Sequence, residues 1–239
     1  MIGLNEPGCF AQYVVVPEPF AWKVPDEVSD EDAVTIEPMA VAYHALFSTR
    51  AKPGDPLAII GLGAIGLLLT NLAIKMGYKV FVTEVNQART ALAVKMGAIP
   101  TLLQSNLELL ASELTNIWRK NKVAAIFECA GSNVTASLAT AAAPRGSEIV
   151  LVGLSEKQAT FQPLKIAREG IAVIPSIIYQ HPFDFQRIIR LIEANVVHPG
   201  LIISGRYPLT KIQQALESAS AGTHSKIVID IFPDQLSNR

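Results

Sequence analysis

The chain has 239 residues, a formal net charge of −1 at pH 7 and a hydrophobic fraction of 50%. This length allows one large or two small domains with a substantial core. The near-zero charge predicts neither nucleic acid nor an anionic membrane surface as a partner. Only two cysteines are present, Cys9 and Cys129, which excludes a disulfide scaffold and a four-cysteine zinc site. Because the N-terminus shows no secretory signal pattern, we expect a cytoplasmic protein.

The first fifty residues are punctuated by proline. Segment 10–27, FAQYVVVPEPFAWKVPDE, is rich in residues that favour β-structure and predicts strands outside any parallel sheet. Ser29 and the acidic residues after it predict the start of a short helix. Glu37-Pro38 predicts the start of another, with proline in its first turn.

An uncharged run of 18 residues, 57–74, follows with the sequence LAIIGLGAIGLLLTNLAI. Its length suggests a membrane-spanning helix. However, Gly61, Gly63 and Gly66 lie inside it, and each glycine costs a helix about 1 kcal/mol. We therefore predict a buried strand, a tight turn and a helix instead of one continuous span.

The spacing G-x-G-x-x-G between a strand and a helix is typical of a dinucleotide site. Gly61 permits the sharp turn, Gly63 leaves room for a pyrophosphate, and Gly66 lets the helix lie close to the strand. The helix N-terminus, including Ala64 and Ile65, offers free N–H groups and a partial positive charge to the phosphates.

The next predicted strand, KVFVTE, ends at Glu84, which is 84 − 66 = 18 residues after the last glycine. This spacing suits the acid that accepts hydrogen bonds from the adenosine ribose. A carboxylate there would repel a 2′-phosphate, so the sequence favours NAD over NADP. The residues leave two alternatives open, namely a methyltransferase-like fold that binds another adenosine ligand and a membrane helix.

Helices and strands alternate through the rest of the central region. Asn86 and Gly97 predict the start and end of one helix, and the capping box Ser105–Glu108 predicts the start of the next. Further predicted elements are strands at 123–131, 148–154 and 170–178 and helices at 133–143 and 183–195, with a last strand at 226–231. This alternation predicts an α/β fold with a doubly wound parallel sheet.

Ligands of such a sheet bind at the carboxyl ends of its strands. The predicted strand ends Cys129–Gly131, Val152–Leu154 and Pro175–Ile177 should therefore line one crevice together with Glu84.

The order of several motifs resembles a known family over nearly the whole chain. The matching segments are GCFAQYVVVPE, EPMAVAYHAL, GLGAIG, VTEVNQAR followed by AVKMGA, FECAG, EIVLVGL, LIIS and KIVI. Together they resemble the medium-chain, zinc-type alcohol and polyol dehydrogenases, including sorbitol and threonine dehydrogenases. The sequence departs from the family at Cys9, where glycine is usual, and at Gln12, where an acid is usual.

The resemblance implies an enzyme of two lobes. A Rossmann dinucleotide-binding domain would span 51–178, and a partial β-rich (GroES-like) catalytic lobe would combine 1–50 with 179–239. The implied activity is NAD-dependent hydride transfer between an alcohol or polyol and nicotinamide. The implied assembly is a homodimer through an edge strand near Gly170–Ile177, which would cover an edge that is otherwise prone to aggregation.

The resemblance also completes the predicted site. It implies that Arg89 packs beside the adenosine, although a surface arginine paired within its own helix is the alternative. No catalytic residue is predicted. The predicted cofactor-binding residues are Gly61, Gly63, Ala64, Ile65, Gly66, Glu84, Arg89, Cys129, Ala130, Val152, Gly153, Leu154 and Ser176.

Zinc is the point at which the resemblance is incomplete. In this family the zinc ligands precede the region that matches GCFAQY, and only Glu37 occupies a position that supplies a ligand in part of the family. A catalytic zinc needs three protein ligands, so we expect that this chain alone does not bind zinc, and its activity alone stays open. The alternatives are a zinc-free quinone reductase of the same superfamily and a non-catalytic dinucleotide-binding remnant.

Overall fold

The structure is a computed structural model that describes residues 2–101 and 106–232. Its strands are β1 (Pro56–Ile60), β2 (Lys79–Thr83), β3 (Ile99–Pro100), β4 (Ala125–Glu128), β5 (Glu148–Leu151), β6 (Ala172–Pro175), β7 (Ile203–Pro208) and β8 (Lys226–Asp230). Its α-helices are α1 (Asp30–Ala33), α2 (Ile36–Phe47), α3 (Ala64–Lys75), α4 (Gln87–Met96), α5 (Leu107–Asn121), α6 (Asn133–Ala142), α7 (Pro163–Glu169), α8 (Phe183–Glu193) and α9 (Ile212–Ser220).

The described chain forms two compact units. One unit is Val34–Pro199, and the other combines the described residues before 34 with those from 200 onward. Helix α2 packs against α3 and α8, which is why these helices belong to the same unit as the large sheet. The units therefore divide at other positions than the predicted limits 50/51 and 178/179, which stay predictions about the lobes of an intact enzyme.

The larger unit is built on a six-stranded parallel sheet in the order β3-β2-β1-β4-β5-β6. The central strands are buried on both faces, since residues 57–60 and 125–128 have almost no exposed surface. Trp118 and Phe127 are the largest fully buried side chains. The predicted α/β fold with a doubly wound, Rossmann-type sheet is confirmed.

The uncharged run 57–74 divides as predicted. Strand β1 ends at Ile60, a turn follows, and α3 begins at Ala64. Among the described residues, no helix combines the length and the apolar character that crossing a membrane requires.

Local signals place several helix ends correctly. The Asn86 side chain accepts hydrogen bonds from the N–H groups of Ala88 and Arg89, and Gly97 ends α4 with φ of 108°. Helix α5 is capped by Asn106, while the predicted cap, Ser105, lies outside the described residues. In the other unit, Ser29 Oγ accepts from Asp32 N at 3.1 Å and caps α1.

The prediction of strands in segment 10–27 is wrong. All of this segment is described, and it holds only a short 3₁₀ turn, Glu18–Phe20. The backbone is extended at Pro17 and Ala21, but β-propensity yields a strand only when a partner strand is present, and proline donates no ladder hydrogen bond. In this unit the described strands are the parallel pair β7 and β8, so the β-structure predicted for both chain ends is present only at the C-terminal end.

Candidate functional site

The strand order reverses between β1 and β4, and the glycine turn lies at this point. Gly61 has φ of +91°, and its N–H donates to the Thr83 carbonyl at 2.9 Å. A Cβ on Gly61 would lie 2.6 Å from Ala130 N. Only glycine therefore fits here, and its absence of a side chain lets the turn after β1 contact the loop after β4.

Gly63 and Gly66 differ in their surroundings. A Cβ on Gly66 would overlap the Gly61 carbonyl oxygen, so this glycine lets α3 begin directly against the turn. A Cβ on Gly63 would have no atom within 4 Å. Gly63 therefore faces open space next to the first turn of α3, as expected where a ligand approaches the backbone.

Helix α3 begins without a capping side chain. Its N-cap residue is Gly63. The helices α2, α7, α8 and α9 also lack a side-chain cap, but α3 is the helix that follows the glycine turn, and the neighbouring helices α4, α5 and α6 are capped by Asn86, Asn106 and Ser132. An uncapped N-terminus leaves its first N–H groups, including those of Ala64 and Ile65, to an external acceptor. Backbone N–H groups at a helix N-terminus, with the helix dipole behind them, suit a phosphate.

Glu84 follows β2 and binds the backbone of two loops. Its Oε2 accepts from Leu62 N at 2.5 Å and its Oε1 from Asn86 N at 2.8 Å. The carboxylate thus holds the glycine turn in place. Each carboxylate oxygen has two lone pairs, so Glu84 keeps acceptor capacity for a ribose hydroxyl.

Sequence analysis missed Glu128, which is 1% exposed at the end of β4. Its Oε1 accepts from Ala130 N and Gly131 N, both at 3.0 Å, and from Thr135 Oγ1 at 2.7 Å. A buried carboxylate with these donors fixes the loop that contacts Gly61. The signal in the sequence is an acid that ends the otherwise apolar strand AIFE, because such residues are rarely buried without partners.

The backbone of Glu128 also joins the loop after β5 to the site. Its carbonyl accepts from Val152 N at 2.9 Å and from Gly153 N at 2.8 Å. A Cβ on Gly153 would lie 2.5 Å from Gly131 Cα. The loops after β1, β4 and β5 therefore form one continuous surface.

Cys129 contributes packing rather than reactivity. Burial raises the pKa of its thiol, and the neighbouring Glu128 carboxylate raises it further. A thiol that stays protonated is a poor nucleophile and metal ligand.

The other predicted cofactor-binding residues lie at the same edge of the sheet, but they are joined to one another by fewer contacts than the loops after β1, β4 and β5. Leu154 is 93% exposed, and Arg89 lies half-buried in the first turn of α4. Ser176 follows β6, one strand beyond the joined loops, and its N–H donates to Leu151 O. Within the described residues, the buried Oγ of Ser176 and the buried Oγ1 of Thr101, which follows β3, have no hydrogen-bond partner, so both could serve a polar ligand.

Glu37 is exposed in the first turn of α2, and its partner is Tyr179. The Tyr179 hydroxyl hydrogen-bonds Glu37; burial raises the pKa of that hydroxyl, and the charge of Glu37 raises it further. Within the described ranges, no three His, Cys, Asp or Glu side chains come together as a metal site requires. The residues described here thus do not fit a catalytic zinc, and we derive no step through one.

Comparison with known proteins gives a consistent result. A family model described as zinc-binding dehydrogenase matches residues 64–194. Sorbitol dehydrogenase of Bacillus subtilis is 27% identical over 95% of this chain and 64% of its own length. The chain thus spans about two thirds of the length of this relative.

Solved structures agree in fold. Galactitol-1-phosphate dehydrogenase from Escherichia coli superposes with a TM-score of 0.83 at 27% identity, over 93% of this chain and 66% of that one. A Sinorhizobium meliloti 1021 protein bound to NADP gives a TM-score of 0.83 at 25% identity, over 95% of this chain and 67% of that one.

Proposed function

The chain belongs to the zinc-binding dehydrogenase family, and from this premise we propose that it binds a nicotinamide dinucleotide on the loops after β1, β2, β4 and β5. The observation that carries the proposal is the N-terminus of α3, which has no side-chain cap and begins at a glycine facing open space. The N–H groups of this turn would hold the diphosphate. The intact protein would transfer hydride between an alcohol or polyol and nicotinamide.

Glu84 supports NAD as the preferred dinucleotide. Its carboxylate lies beside the glycine turn, where it accepts from Leu62 N, and it would accept from the adenosine ribose hydroxyls. A 2′-phosphate at the same place would meet a negative charge. Because a solved relative is bound to NADP, the affinities of this chain for NADH and NADPH distinguish the two dinucleotides.

In the proposed reaction, the dinucleotide and the protein chain would make different contributions. The bound dinucleotide would supply the hydride chemistry, and the chain would bind, orient and shield it. Glu128 accepts hydrogen bonds from the backbone N–H groups of Ala130 and Gly131, and these bonds would hold the surface under the cofactor in place before binding. The expectation that the chain alone does not hold zinc stays a prediction, and metal analysis of the purified chain would test it.

We propose a homodimer through strand β6. This strand is at the edge of the sheet and pairs only with β5 among the described strands. Val173 is 47% and Ile177 is 74% exposed, so the edge presents both apolar side chains and free backbone groups. Val173→Lys should shift the chain from dimer to monomer in analytical ultracentrifugation, and a monomer in the unmodified chain would refute the proposal.

A pair of glycine substitutions tests dinucleotide binding. Gly63→Ala places a methyl group in open space. The less favourable N-cap residue and the lower entropy of the unfolded chain oppose each other, so stability should change by less than about 1 kcal/mol, but the methyl would occupy the approach path of the diphosphate. We expect about tenfold weaker NADH binding in a fluorescence titration, which corresponds to about 1.4 kcal/mol. Gly54→Ala is the matched control, because Gly54 also faces open space but lies before β1, away from the loops, with φ of +97°.

The control should show the opposite behaviour. Alanine at a left-handed position costs about 1–2 kcal/mol, so Gly54→Ala should lower stability in urea denaturation and leave NADH affinity unchanged. Equal NADH affinity in the Gly63→Ala variant and the unmodified chain, or no binding by either, would contradict the proposal. NADH binding without alcohol-dependent formation of NADH would favour the dinucleotide-binding alternative for the chain alone.

A further inference from the structure

A second concave surface lies at the amino ends of the strands, opposite the dinucleotide loops. This groove has a volume of about 830 Å³ and lies where α5, α6 and α7 end and β4 and β5 begin. We call it the amino-edge groove. Its charged lining residues are Arg119, Lys122, Arg145, Lys165, Arg168 and Glu169.

The amino-edge groove is strongly basic although the chain is not. Five of the 20 lysines and arginines of the chain line it, against one acid, Glu169. The groove thus carries a formal charge of 5 − 1 = +4, whereas the whole chain carries −1. Like charges in one concavity repel one another, and a bound anion would relieve this repulsion.

Within the part of the chain that the structure describes, Lys165 is the one of the five cations whose side chain has polar partners. Lys165 Nζ donates to the carbonyls of Ala141 and Ala143 at 2.8 and 3.0 Å and lies 3.7 Å from Glu169 Oε2. The other four are exposed, and within 2–101 and 106–232 their side chains make no ion pair. These four are Arg119, Lys122, Arg145 and Arg168.

Helix dipoles explain part of this arrangement. Arg119 and Arg168 lie in the last turns of α5 and α7, where a cation contributes about 0.3–1 kcal/mol. Lys122 and Arg145 lie beyond the last turns of α5 and α6. The helix dipoles therefore explain why Arg119 and Arg168 are favourable at their own positions. They do not explain why four unpaired cations face the same groove.

We propose that the amino-edge groove binds a small molecule that carries a phosphate or diphosphate. Three of its cations are arginines, whose planar guanidinium groups bind phosphate oxygens in pairs. The volume is in the range of small-molecule cavities, about 300–1,000 Å³. A large nucleic acid is less suited, because the rest of the chain carries no excess positive charge to neutralise a long phosphate backbone.

The site is independent of dinucleotide binding. Its residues belong to the segments that precede β4, β5 and β6, whereas the proposed dinucleotide loops follow β1, β2, β4 and β5. A negative result for dinucleotide binding would therefore not contradict phosphate binding in the amino-edge groove, and the reverse also holds.

The test uses isothermal titration with inorganic pyrophosphate in the Gly63→Ala background, where the N-terminus of α3 is obstructed. The double substitution Arg119→Glu and Arg168→Glu should weaken pyrophosphate binding by about tenfold or more, since each arginine contributes charge-assisted hydrogen bonds. The matched control is Lys75→Glu with Lys95→Glu. These lysines also lie in last turns, of α3 and α4, and are exposed.

The control carries the same change in net charge and loses the same dipole interactions, so its pyrophosphate affinity should be unchanged. If the arginine double variant fails to fold by circular dichroism, Arg145→Gln, which lies in a turn, replaces it. A smaller loss of about threefold is then expected, because one charge is neutralised instead of two being reversed. The proposal is overturned if pyrophosphate releases no heat, if both double variants bind equally, or if polyglutamate binds more tightly than pyrophosphate.

Discussion

Substitution of Glu128 would show how far one buried carboxylate organises the site. In the folded chain its Oε1 accepts from the N–H groups of Ala130 and Gly131 and from the Thr135 hydroxyl. Glu128→Ala removes the acceptor and leaves these partly buried donors without their protein partner. Glu128→Gln keeps one oxygen as an acceptor and removes only the charge.

The contacts set the size of the effect. An unsatisfied buried donor costs about 1–3 kcal/mol, and the loss of a fully buried side chain adds the cost of the cavity that it leaves. We therefore expect Glu128→Ala to lower the free energy of unfolding by about 4 kcal/mol, out of about 5–15 kcal/mol for a typical domain. Glu128→Gln should cost about 1–2 kcal/mol, because hydrogen bonds to a charged acceptor are stronger than neutral ones.

Urea denaturation followed by circular dichroism measures both values. Glu156→Ala is the control, since Glu156 is exposed and its substitution should stay within about 0.5 kcal/mol. NADH affinity, measured on the folded fraction, should fall for Glu128→Ala because the loop at Ala130 loses its anchor. A loss of stability below about 1 kcal/mol for Glu128→Ala would refute the view that this carboxylate holds the loop.

Three further outcomes are expected. Gly61→Ala should lower stability by about 3 kcal/mol or more in urea denaturation, because backbone strain at φ of +91° adds to overlap with the neighbouring loop. Glu84→Gln should lower the dissociation constant for NADPH relative to that for NADH by about tenfold, whereas Glu156→Gln should leave this ratio unchanged. An unchanged ratio in Glu84→Gln would contradict the proposal that Glu84 selects NAD. Cys9, which is exposed, should react with iodoacetamide well before Cys129, whose raised thiol pKa keeps it protonated. In the unfolded chain the Cys129 thiol has its ordinary pKa, so above that pH the unfolded state gains a thiolate that the folded state does not form. Stability should therefore decrease as the pH rises past the ordinary thiol pKa.

Local sequence signals determined the central elements because they depend on neighbouring residues. The G-x-G-x-x-G spacing predicted the strand, turn and helix at β1 and α3, and Asn86 and Gly97 predicted both ends of α4. These features need only backbone dihedrals and hydrogen bonds within a few residues. The alternation of strands and helices then determined the parallel sheet, because parallel neighbours require crossover connections.

Tertiary structure alone decided the features that depend on distant residues. Segment 10–27 has the composition of strands but no partner strand, so its propensity is not expressed. The role of Glu128 depends on the N–H groups of Ala130 and Gly131 and on the Thr135 hydroxyl, which donate to its carboxylate because of the loop conformation. The cations of the amino-edge groove lie at or near the ends of α5, α6 and α7. These helix ends are distant in the sequence, and tertiary packing alone brings their positive charges to the same groove.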